Sequence, residues 1–247
     1  MRLLEVESVS KRFGGVLALE NVSFHVDSGE VVGVIGPNGA GKTTLFDCIS
    51  GLQRPTTGRI RVDGTEVTGR PAHRIATLGL ARTFQIPRLF NQLTVLQNVM
   101  VGAFAHEATG AGASWRALDC LEQVGLSGEA EVLAGRLNLA DRRRLEIARV
   151  LALEPRIVLL DEAMSGLSDP ETERMMELVR QLNQGGATFV LVEHVMKVVM
   201  GLCVRLVVLD HGQVLTVGSP AAVVGDERVI HAYLGEPLAS EVSGGAS

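Results

Sequence analysis

A glycine-rich segment constrains the fold of this chain more than any other part of its sequence. The segment reads Gly36-Pro37-Asn38-Gly39-Ala40-Gly41-Lys42-Thr43 and fits the pattern G-x-x-x-x-G-K-[ST]. It follows an apolar run at 30–35, typical of a strand buried on both faces, and precedes a helical stretch at 44–49. The glycines let backbone N–H groups converge on phosphate oxygens, and the helix adds partial positive charge. The segment therefore predicts a phosphate-binding loop between a central strand and a helix.

The side chains that close this loop predict a nucleotide with a bound magnesium ion. Lys42 is expected to reach the β- and γ-phosphates, and the Thr43 hydroxyl is expected to bind Mg²⁺. The alternative is a chance glycine-rich turn, which would need neither the buried strand nor the helix. The predicted nucleotide-binding residues are Gly36, Pro37, Asn38, Gly39, Ala40, Gly41, Lys42, Thr43 and Thr44.

A second motif supplies two carboxylates at the end of another apolar run. Residues 157–160 are Ile-Val-Leu-Leu, which predicts a buried strand, and Asp161 and Glu162 follow at its carboxyl end. Asp161 is expected to hold Mg²⁺ through water, and Glu162 to polarise the attacking water as general base. A solvated strand end would be the alternative for this motif alone. Together with the phosphate-binding loop, it indicates a P-loop nucleoside triphosphatase.

The order of apolar runs along the chain predicts an α/β fold. Buried strands at 188–192 and 206–209 alternate with helices, which indicates a mainly parallel sheet covered on both faces. A helix is expected to begin at Asp169 as its cap, with Pro170 at its first position. Short β-prone runs with turns occupy 55–69. From Thr94 to about Ala152 the pattern is helical, interrupted by an expected flexible loop at 108–114.

Composition excludes several classes of function. The net charge of −5 and an aromatic content of 4% are not those of a general nucleic-acid binder. Cys48, Cys120 and Cys203 lack metal-ligand spacing and are expected to be reduced, buried thiols. The amino terminus lacks the apolar core of a signal peptide, and no uncharged apolar run is long enough to span a bilayer. A membrane role would therefore require a partner.

With these motifs in place, the chain resembles the ATP-binding subunit of ABC transporters over nearly its full length. The resemblance implies a P-loop NTPase core with a mainly parallel sheet, an antiparallel β subdomain and an inserted helical subdomain. It implies one ABC ATPase domain at 1–236, with core and β subdomain at 1–90 and 151–236 and the helical subdomain at 91–150. The tail at 237–247 is expected to be disordered. The implied ligands are ATP and Mg²⁺.

The resemblance also assigns roles to residues outside the two motifs. Phe13 matches the aromatic residue that stacks on adenine, and Gln85 matches the glutamine that contacts Mg²⁺ and the attacking water. His194 matches the histidine that binds the γ-phosphate. Each has a structural alternative: a core phenylalanine, a surface glutamine and a structural histidine. The loop 165–168 matches the segment that meets the partner ATPase, with Ser168 where the family usually has Asp or Asn.

One family motif departs from its usual sequence. The signature Leu-Ser-Gly-Gly-Gln aligns with Leu137-Asn138-Leu139-Ala140-Asp141, which keeps only the first leucine. Asn138 can still cap the next helix, whereas Ala140 lacks the conformational freedom of glycine. Asp141 adds a negative charge near the expected position of a γ-phosphate. We therefore expect this chain to contribute a weak signature to the site of its partner.

Within the family, the chain is most similar to the ATPases of branched-chain and hydrophobic amino-acid importers. The stretches that carry this likeness are Lys11-Arg12-Phe13-Gly14-Gly15, Arg82-Thr83-Phe84-Gln85, Arg88-Leu89-Phe90, Arg144-Leu145-Glu146-Ile147-Ala148-Arg149, Glu193-His194-Val195-Met196-Lys197 and Ala232-Tyr233-Leu234-Gly235-Glu236. The likeness implies two permease subunits, a second ATPase subunit in a head-to-tail dimer, and an external solute-binding protein acting indirectly. It implies a peripheral position at the cytoplasmic face of the inner or plasma membrane. Urea, amide and aromatic-acid importers remain open.

Three other functions are alternatives to an importer ATPase. ABC-type ATPases of DNA repair or translation carry a long coiled-coil insertion or two ATPase units, and neither is present here. A nucleotide-binding regulator with little turnover is compatible with the altered signature. A GTPase is disfavoured because the guanine-reading motif Asn-Lys-x-Asp is absent from the sequence.

Overall fold

The computed structural model describes residues 1–234. The predicted tail at 237–247, together with Gly235 and Glu236, lies outside the described residues. The strands are β1 Arg2–Phe13, β2 Val16–Asp27, β3 Val31–Ile35, β4 Thr57–Val62, β5 Thr65–Glu66, β6 Leu80–Arg82, β7 Ile157–Asp161, β8 Thr188–Val192, β9 Arg205–Asp210 and β10 Gln213–Gly218. The α-helices are α1 Lys42–Ile49, α2 Ala72–Ala76, α3 Val95–Ala103, α4 Gly110–Gln123, α5 Leu139–Leu151, α6 Asp169–Gln184, α7 Met196–Leu202, α8 Pro220–Val224 and α9 Glu227–Leu234.

A six-stranded sheet forms the centre of the molecule, in the order β10-β9-β3-β8-β7-β6. All neighbours from β9 to β6 pair in parallel, and β10 adds an antiparallel edge. Every residue of β3, β7 and β8 is buried, because both faces of the sheet are covered. Because β3, β8 and β7 run parallel, the carboxyl ends of β3 and β7 lie at the same edge of the sheet. The phosphate-binding loop and Asp161 meet at this edge.

A smaller antiparallel sheet has the order β2-β1-β4-β5. The hairpin of β1 and β2 pairs along its length, from Arg2 with Asp27 to Phe13 with Val16. Its inner face shares a core with α1 and one face of the large sheet, in which Phe46 and Leu45 are fully buried. The other face of the large sheet packs on α3, α4, α5, α6 and α7. This arrangement confirms the predicted fold class.

The segment between β6 and β7 is mainly helical and contains α3, α4 and α5. The flexible loop predicted at 108–114 is wrong, since α4 begins at Gly110. Thr109 caps this helix by accepting the N–H of Gly112, and Ala113 is fully buried. Small residues here allow close packing of α4 against its neighbours rather than marking a loop. The predicted limits of the subdomain, 91 and 150, stay a prediction.

Two smaller corrections concern caps and edges. The cap of α6 is Ser168, one residue before the predicted Asp169, so Pro170 stands at the second helical position. The elements α2, β6 and α8, with three to five residues each, were missed because they are too short to give a periodic pattern, and β10 and α9 were missed as well. The three cysteines are free and buried, as predicted. Burial raises the pKa of the Cys48 and Cys120 thiols to about 11. Across residues 1–234, every helix is too short or too polar to cross a bilayer.

Candidate active site

The glycine-rich segment forms a loop that wraps around the amino end of α1. Gly41 caps the helix with a φ of +100°, in the left-handed region that favours glycine. A Cβ at Gly41 would lie 2.7 Å from the carbonyl oxygen of Ala18, so the close approach of β2 also requires glycine there. The glycine that the sequence pattern requires at position 41 is therefore needed for the backbone conformation of the loop.

Lys42 lies folded into this loop. Its Nζ donates hydrogen bonds to the carbonyl oxygens of Gly36 at 2.6 Å and Pro37 at 2.9 Å. Burial lowers the pKa of the ammonium group, whereas the charges of Glu162 and Asp161 oppose that shift. These two carbonyl bonds hold the cation beside the loop, where a phosphate group could exchange with them.

Glu162 joins two other predicted residues in one cluster. Gln85 donates from Nε2 to Oε2 of Glu162 at 2.7 Å, and Nε2 of His194 lies 2.6 Å from Oε1. Glu162 has a φ of +48°, which is rare for a residue with a side chain and signals local backbone strain. Its backbone N–H donates to the carbonyl oxygen of Val192, which ties β7 to β8 at this point. The structure thus brings together Glu162 and Gln85, which were predicted to act on the attacking water, and His194, which was predicted to bind the γ-phosphate.

Asp161 ends β7 with a buried side chain beside this cluster. Its backbone N–H donates to Oγ1 of Thr83 at 3.2 Å, and its Oδ2 accepts from Arg82 at 2.7 Å. Mg²⁺ is usually held by one or two protein oxygen ligands together with substrate phosphates and waters. Thr43 and Asp161 supply such a hydroxyl and carboxylate, so the donor set fits the ion. Within 1–234 no group of three or more His, Cys, Asp or Glu side chains is placed to hold a metal ion by itself.

A cavity of about 220 Å³ opens over the phosphate-binding loop. Its lining residues are Ala18, Asn38, Gly39, Gly41, Lys42, Thr43, Thr44, Glu162 and His194. Phe13 is not among them: it lies half-exposed at the end of β1, with Nζ of Lys11 4.7 Å from its ring centroid. Its predicted contact with adenine stays a prediction.

A larger cavity than the one over the phosphate-binding loop lies elsewhere. It measures about 560 Å³ and opens at the amino ends of β7 and β8, next to Arg116, Glu154 and Arg156. This cavity contains none of the motif residues. Its wall carries one ion pair, between Arg116 and Glu154. Size alone therefore does not identify the reactive site in this molecule.

The altered signature forms the first turn of α5. Asn138 caps this helix: its Oδ1 accepts the N–H of Asp141 at 2.9 Å, and its Nδ2 donates to Oδ2 of Asp141 at 2.9 Å. Arg144 pairs with the other carboxylate oxygen of Asp141. Leu139 is 42% exposed and lies beside Gly166 of the loop 165–168. Both polar ends of Asn138 are thus bonded within their own helix, and the charge of Asp141 is partly neutralised.

In the loop 165–168, which was predicted to contact the partner ATPase, Ser168 forms hydrogen bonds with a residue of the helix that follows it. The backbone N–H of Ser168 donates to Oε2 of Glu171 at 2.8 Å, and its hydroxyl donates to the same oxygen at 2.6 Å. These bonds fix the amino end of α6. Any contact of Ser168 with a partner subunit stays a prediction.

Two groups near the site were missed from the sequence. Arg82 is buried and bridges Asp161 to Asp47, and Glu146 of α5 accepts the backbone N–H of Phe84 at 3.0 Å. Both lie in stretches quoted for their family likeness, but no local pattern signals their contacts. The partners are brought together only by the pairing of β6 with β7 and by the packing of α5.

Comparison with known proteins gives a consistent result. A family model described as ABC transporter matches residues 19–165. BraF of Pseudomonas aeruginosa, a high-affinity branched-chain amino acid transport ATP-binding protein, is 40% identical over 255 residues, which cover 95% of this chain and 98% of BraF. LivG of Escherichia coli, described in the same words, is 40% identical over 250 residues with the same coverage. LptB of Acidithiobacillus ferridurans, a lipopolysaccharide export system ATP-binding protein, is 35% identical over 95% of this chain and 97% of LptB.

Solved structures give the same result for the fold. A nucleotide-free ATP-binding cassette from an ABC transporter has a TM-score of 0.88 at 28% identity, covering 96% of this chain and 100% of that one. The ADP conformation of the cassette MJ1267 has a TM-score of 0.87 at 29% identity, with the same coverage. A dimeric post-hydrolysis state of the cassette MJ0796, bound to ADP and Pi, has a TM-score of 0.80 at 28% identity, covering 88% and 99%.

Proposed function

Because the chain belongs to the ABC transporter family of ATP-binding proteins, we propose that it is the ATP-hydrolysing subunit of a branched-chain amino-acid importer. The observation that carries the proposal is 40% identity to BraF and LivG over 95% of the chain. The hydrolytic part is supported by the cavity that Lys42, Glu162 and His194 line, with Gln85 bonded to Glu162.

In this proposal the polar residues of the site bind the phosphates, hold the metal ion or act on the attacking water. Lys42 and the backbone N–H groups of the loop bind the β- and γ-phosphates, and His194 contacts the γ-phosphate. Glu162 accepts a proton from the attacking water, which Gln85 helps to orient. Thr43 and Asp161 hold Mg²⁺, with Gln85 beside them. An ion held by these residues would supply positive charge to neutralise the charge that develops on the phosphates during transfer.

ATP binding is tested with the Lys42→Ala variant. Loss of the main cation should weaken ATP binding strongly, since neither Thr43 nor the backbone replaces its charge. Isothermal titration calorimetry measures the change. Lys197→Ala is the matched control, because Lys197 is half-exposed on α7 and pairs with Glu173. Unchanged ATP affinity in the Lys42 variant would contradict the assignment of the loop.

The transported solute is tested with the assembled complex. The chain is purified with its permeases and second ATPase, placed in liposomes, and supplied with a solute-binding protein and Mg-ATP. Uptake of labelled leucine is expected, with urea and phenylalanine as competitors. Uptake of a competitor but not of leucine would refute the branched-chain assignment, while the ATPase assignment would stand.

A groove beside the site is the proposed docking surface for a permease. It has a volume of about 260 Å³, and Phe84, Arg88, Val101 and Glu146 are among its lining residues. Ile86 and Phe90 are exposed next to it, whereas Val95 is fully buried and belongs to the core. Crosslinks from Ile86 and Phe90 to permease loops should form in the complex. Crosslinks that map consistently elsewhere would refute this surface.

A second candidate function rests on the altered signature. If two copies of this chain pair, each site would use a signature whose asparagine is bonded within α5. Such a homodimer would bind nucleotide with little turnover and could act as a regulator. ATPase assays with and without the membrane partners distinguish the two functions, because only an importer subunit should be stimulated by its permeases.

A further inference from the structure

Arg82 is a cation with a buried side chain that lies behind the nucleotide site, against Asp47 and Asp161. It ends β6, and its side chain is only 6% exposed. Nη2 lies 2.7 Å from Oδ2 of Asp161, and Nη1 lies 2.6 Å from Oδ1 of Asp47 on α1. Nη1 also lies 3.2 Å from the hydroxyl of Ser50. One guanidinium group thus joins the helix behind the phosphate-binding loop to the carboxylate that ends β7.

Aromatic rings restrict the orientation of this guanidinium. The ring centroids of Phe46 and Phe84 lie 5.6 and 5.4 Å from its central carbon. A planar guanidinium can stack on rings while its two terminal nitrogens bind separate carboxylates, whereas a lysine ammonium is a single point charge. The geometry therefore depends on arginine in particular.

Asp161 receives support from two consecutive residues of this strand end. Arg82 binds its side chain, and Oγ1 of Thr83 accepts its backbone N–H. Because Arg82 contacts Oδ2, Oδ1 keeps its capacity to accept a hydrogen bond from a metal-bound water.

We propose that Arg82 is a positioning residue that holds the carboxylate of Asp161 in the orientation needed to bind Mg²⁺. The inference rests on the proposed function, since it assumes that Asp161 serves the metal of a bound nucleotide. Asp47 binds Nη1 of the same guanidinium and so links it to α1. Binding of the nucleotide phosphates by the loop does not involve Arg82, which is absent from the lining of the cavity above the loop.

The proposal is tested with Arg82→Met, which keeps an unbranched apolar stem and removes the guanidinium group with its charge. Mn²⁺ replaces Mg²⁺ as a probe whose affinity is read by electron paramagnetic resonance in the presence of ATP. We expect Mn²⁺ affinity to fall about 10- to 100-fold, the usual cost of losing a partner that orients a metal ligand. ATP affinity measured in EDTA should remain within about twofold, because the loop is unchanged.

Arg205→Met is the matched control. Arg205 forms a partly buried pair with Glu30 at 2.5 Å, at the opposite end of the sheet from the loop. It controls for the general loss of a buried ion pair and should leave Mn²⁺ affinity unchanged. Arg82→Lys should give an intermediate affinity, since it restores the charge but not both contacts.

Three results would overturn the proposal: unchanged Mn²⁺ affinity in Arg82→Met, tighter Mn²⁺ binding, or an equal loss in Arg205→Met. If Arg82→Met does not fold, Mn²⁺ affinity is measured in Arg82→Lys and in the double variant Arg82→Met/Asp47→Asn instead. Mn²⁺ affinity equal to that of the wild-type protein in these variants would refute the proposal. Mn-ATP binding by the wild-type protein distinguishes failure of this inference from failure of the proposed function. If it fails to bind Mn-ATP at all, the proposed function itself is wrong.

Discussion

Glu162 combines a rare backbone conformation with two side-chain contacts in the site. It holds a left-handed backbone conformation while its two carboxylate oxygens contact Gln85 and His194. Glu162→Gln keeps the size of the side chain and removes its capacity to accept a proton. We expect ATP to bind normally and hydrolysis to fall by about 10²–10⁴-fold in the assembled complex.

Phosphate release measures this change, with Glu177→Gln as control. Glu177 is exposed on α6 and contacts Arg180 and Gln181, far from the motifs. A Glu162 variant that keeps half of its turnover would show that another group accepts the proton.

Glu193 is a buried acid that no step of the proposed mechanism uses. Its Oε1 accepts the N–H of Met164 at 3.0 Å, and its Oε2 is buried without a partner in the described part of the chain. Burial raises the pKa of this carboxyl above 4.5, although the backbone N–H groups of Met164 and His194 oppose the shift.

The sign of this pKa shift gives a prediction for stability. A raised pKa in the folded protein means that folding favours the protonated acid, so its contribution is complete below pH 4.5. That contribution is lost as the pH rises through the folded pKa. Glu193→Gln should therefore show a smaller fall in Tm between pH 5 and pH 8 than wild type does, as thermal melts would measure. Parallel curves for the two proteins would contradict the prediction.

At the scale of elements, α5 holds the loop that carries Gln85. Glu146 accepts the N–H of Phe84, and Nη1 of Arg143 donates to the carbonyl oxygen of Phe84 at 3.1 Å. Arg149 donates to the carbonyl oxygen of Arg88. The helix that begins at the altered signature therefore also fixes the loop between the proposed docking groove and Glu162.

Removal of this support should loosen the loop. Glu146→Ala leaves the N–H of Phe84 unpaired, which costs about 1–3 kcal/mol of unfolding free energy. Denaturant unfolding measures that loss, and hydrogen exchange should be faster at residues 84–88. Glu146→Gln keeps an acceptor and is the matched control. Unchanged exchange in the alanine variant would show that the arginines alone hold the loop.

Sequence patterns predicted the central elements because their signals are local. The strand at 188–192 was placed with its observed bounds, since burial on both faces produces a continuous apolar run. The start of α4 was not predicted because Gly110 and Gly112, between Thr109 and Ser114, favour a loop when their packing partners are unknown. For the same reason Lys42 and Glu162 were predictable from motifs, whereas Arg82 depends on the pairing of Leu80 with Ile157.

At the scale of the assembly, the altered signature predicts unequal sites. In ABC dimers each ATP lies between the phosphate-binding loop of one subunit and the signature of the other. This chain would give its partner a signature whose Asn138 is bonded to Asp141, while its own site would use the partner's signature. The site with Lys42, Glu162 and His194 should then carry most of the turnover.

Separate substitution of the general base in each subunit tests this inequality. Loss of Glu162 should abolish most hydrolysis in a complex with a different ATPase subunit, and loss of the equivalent residue in the partner should cost less. Equal losses, or the reverse order, would mean that residues 137–141 work as well as the usual signature.

The order of strands in the large sheet has a consequence for biosynthesis. The strand that carries the phosphate-binding loop, β3 at Val31–Ile35, pairs with β8 and β9, which follow only at Thr188–Val192 and Arg205–Asp210. During translation β3 therefore leaves the ribosome long before either neighbour exists, with apolar residues that must stay protected from aggregation. The nucleotide site is completed only when most of the chain has been made, so ATP cannot stabilise the nascent protein at an early stage.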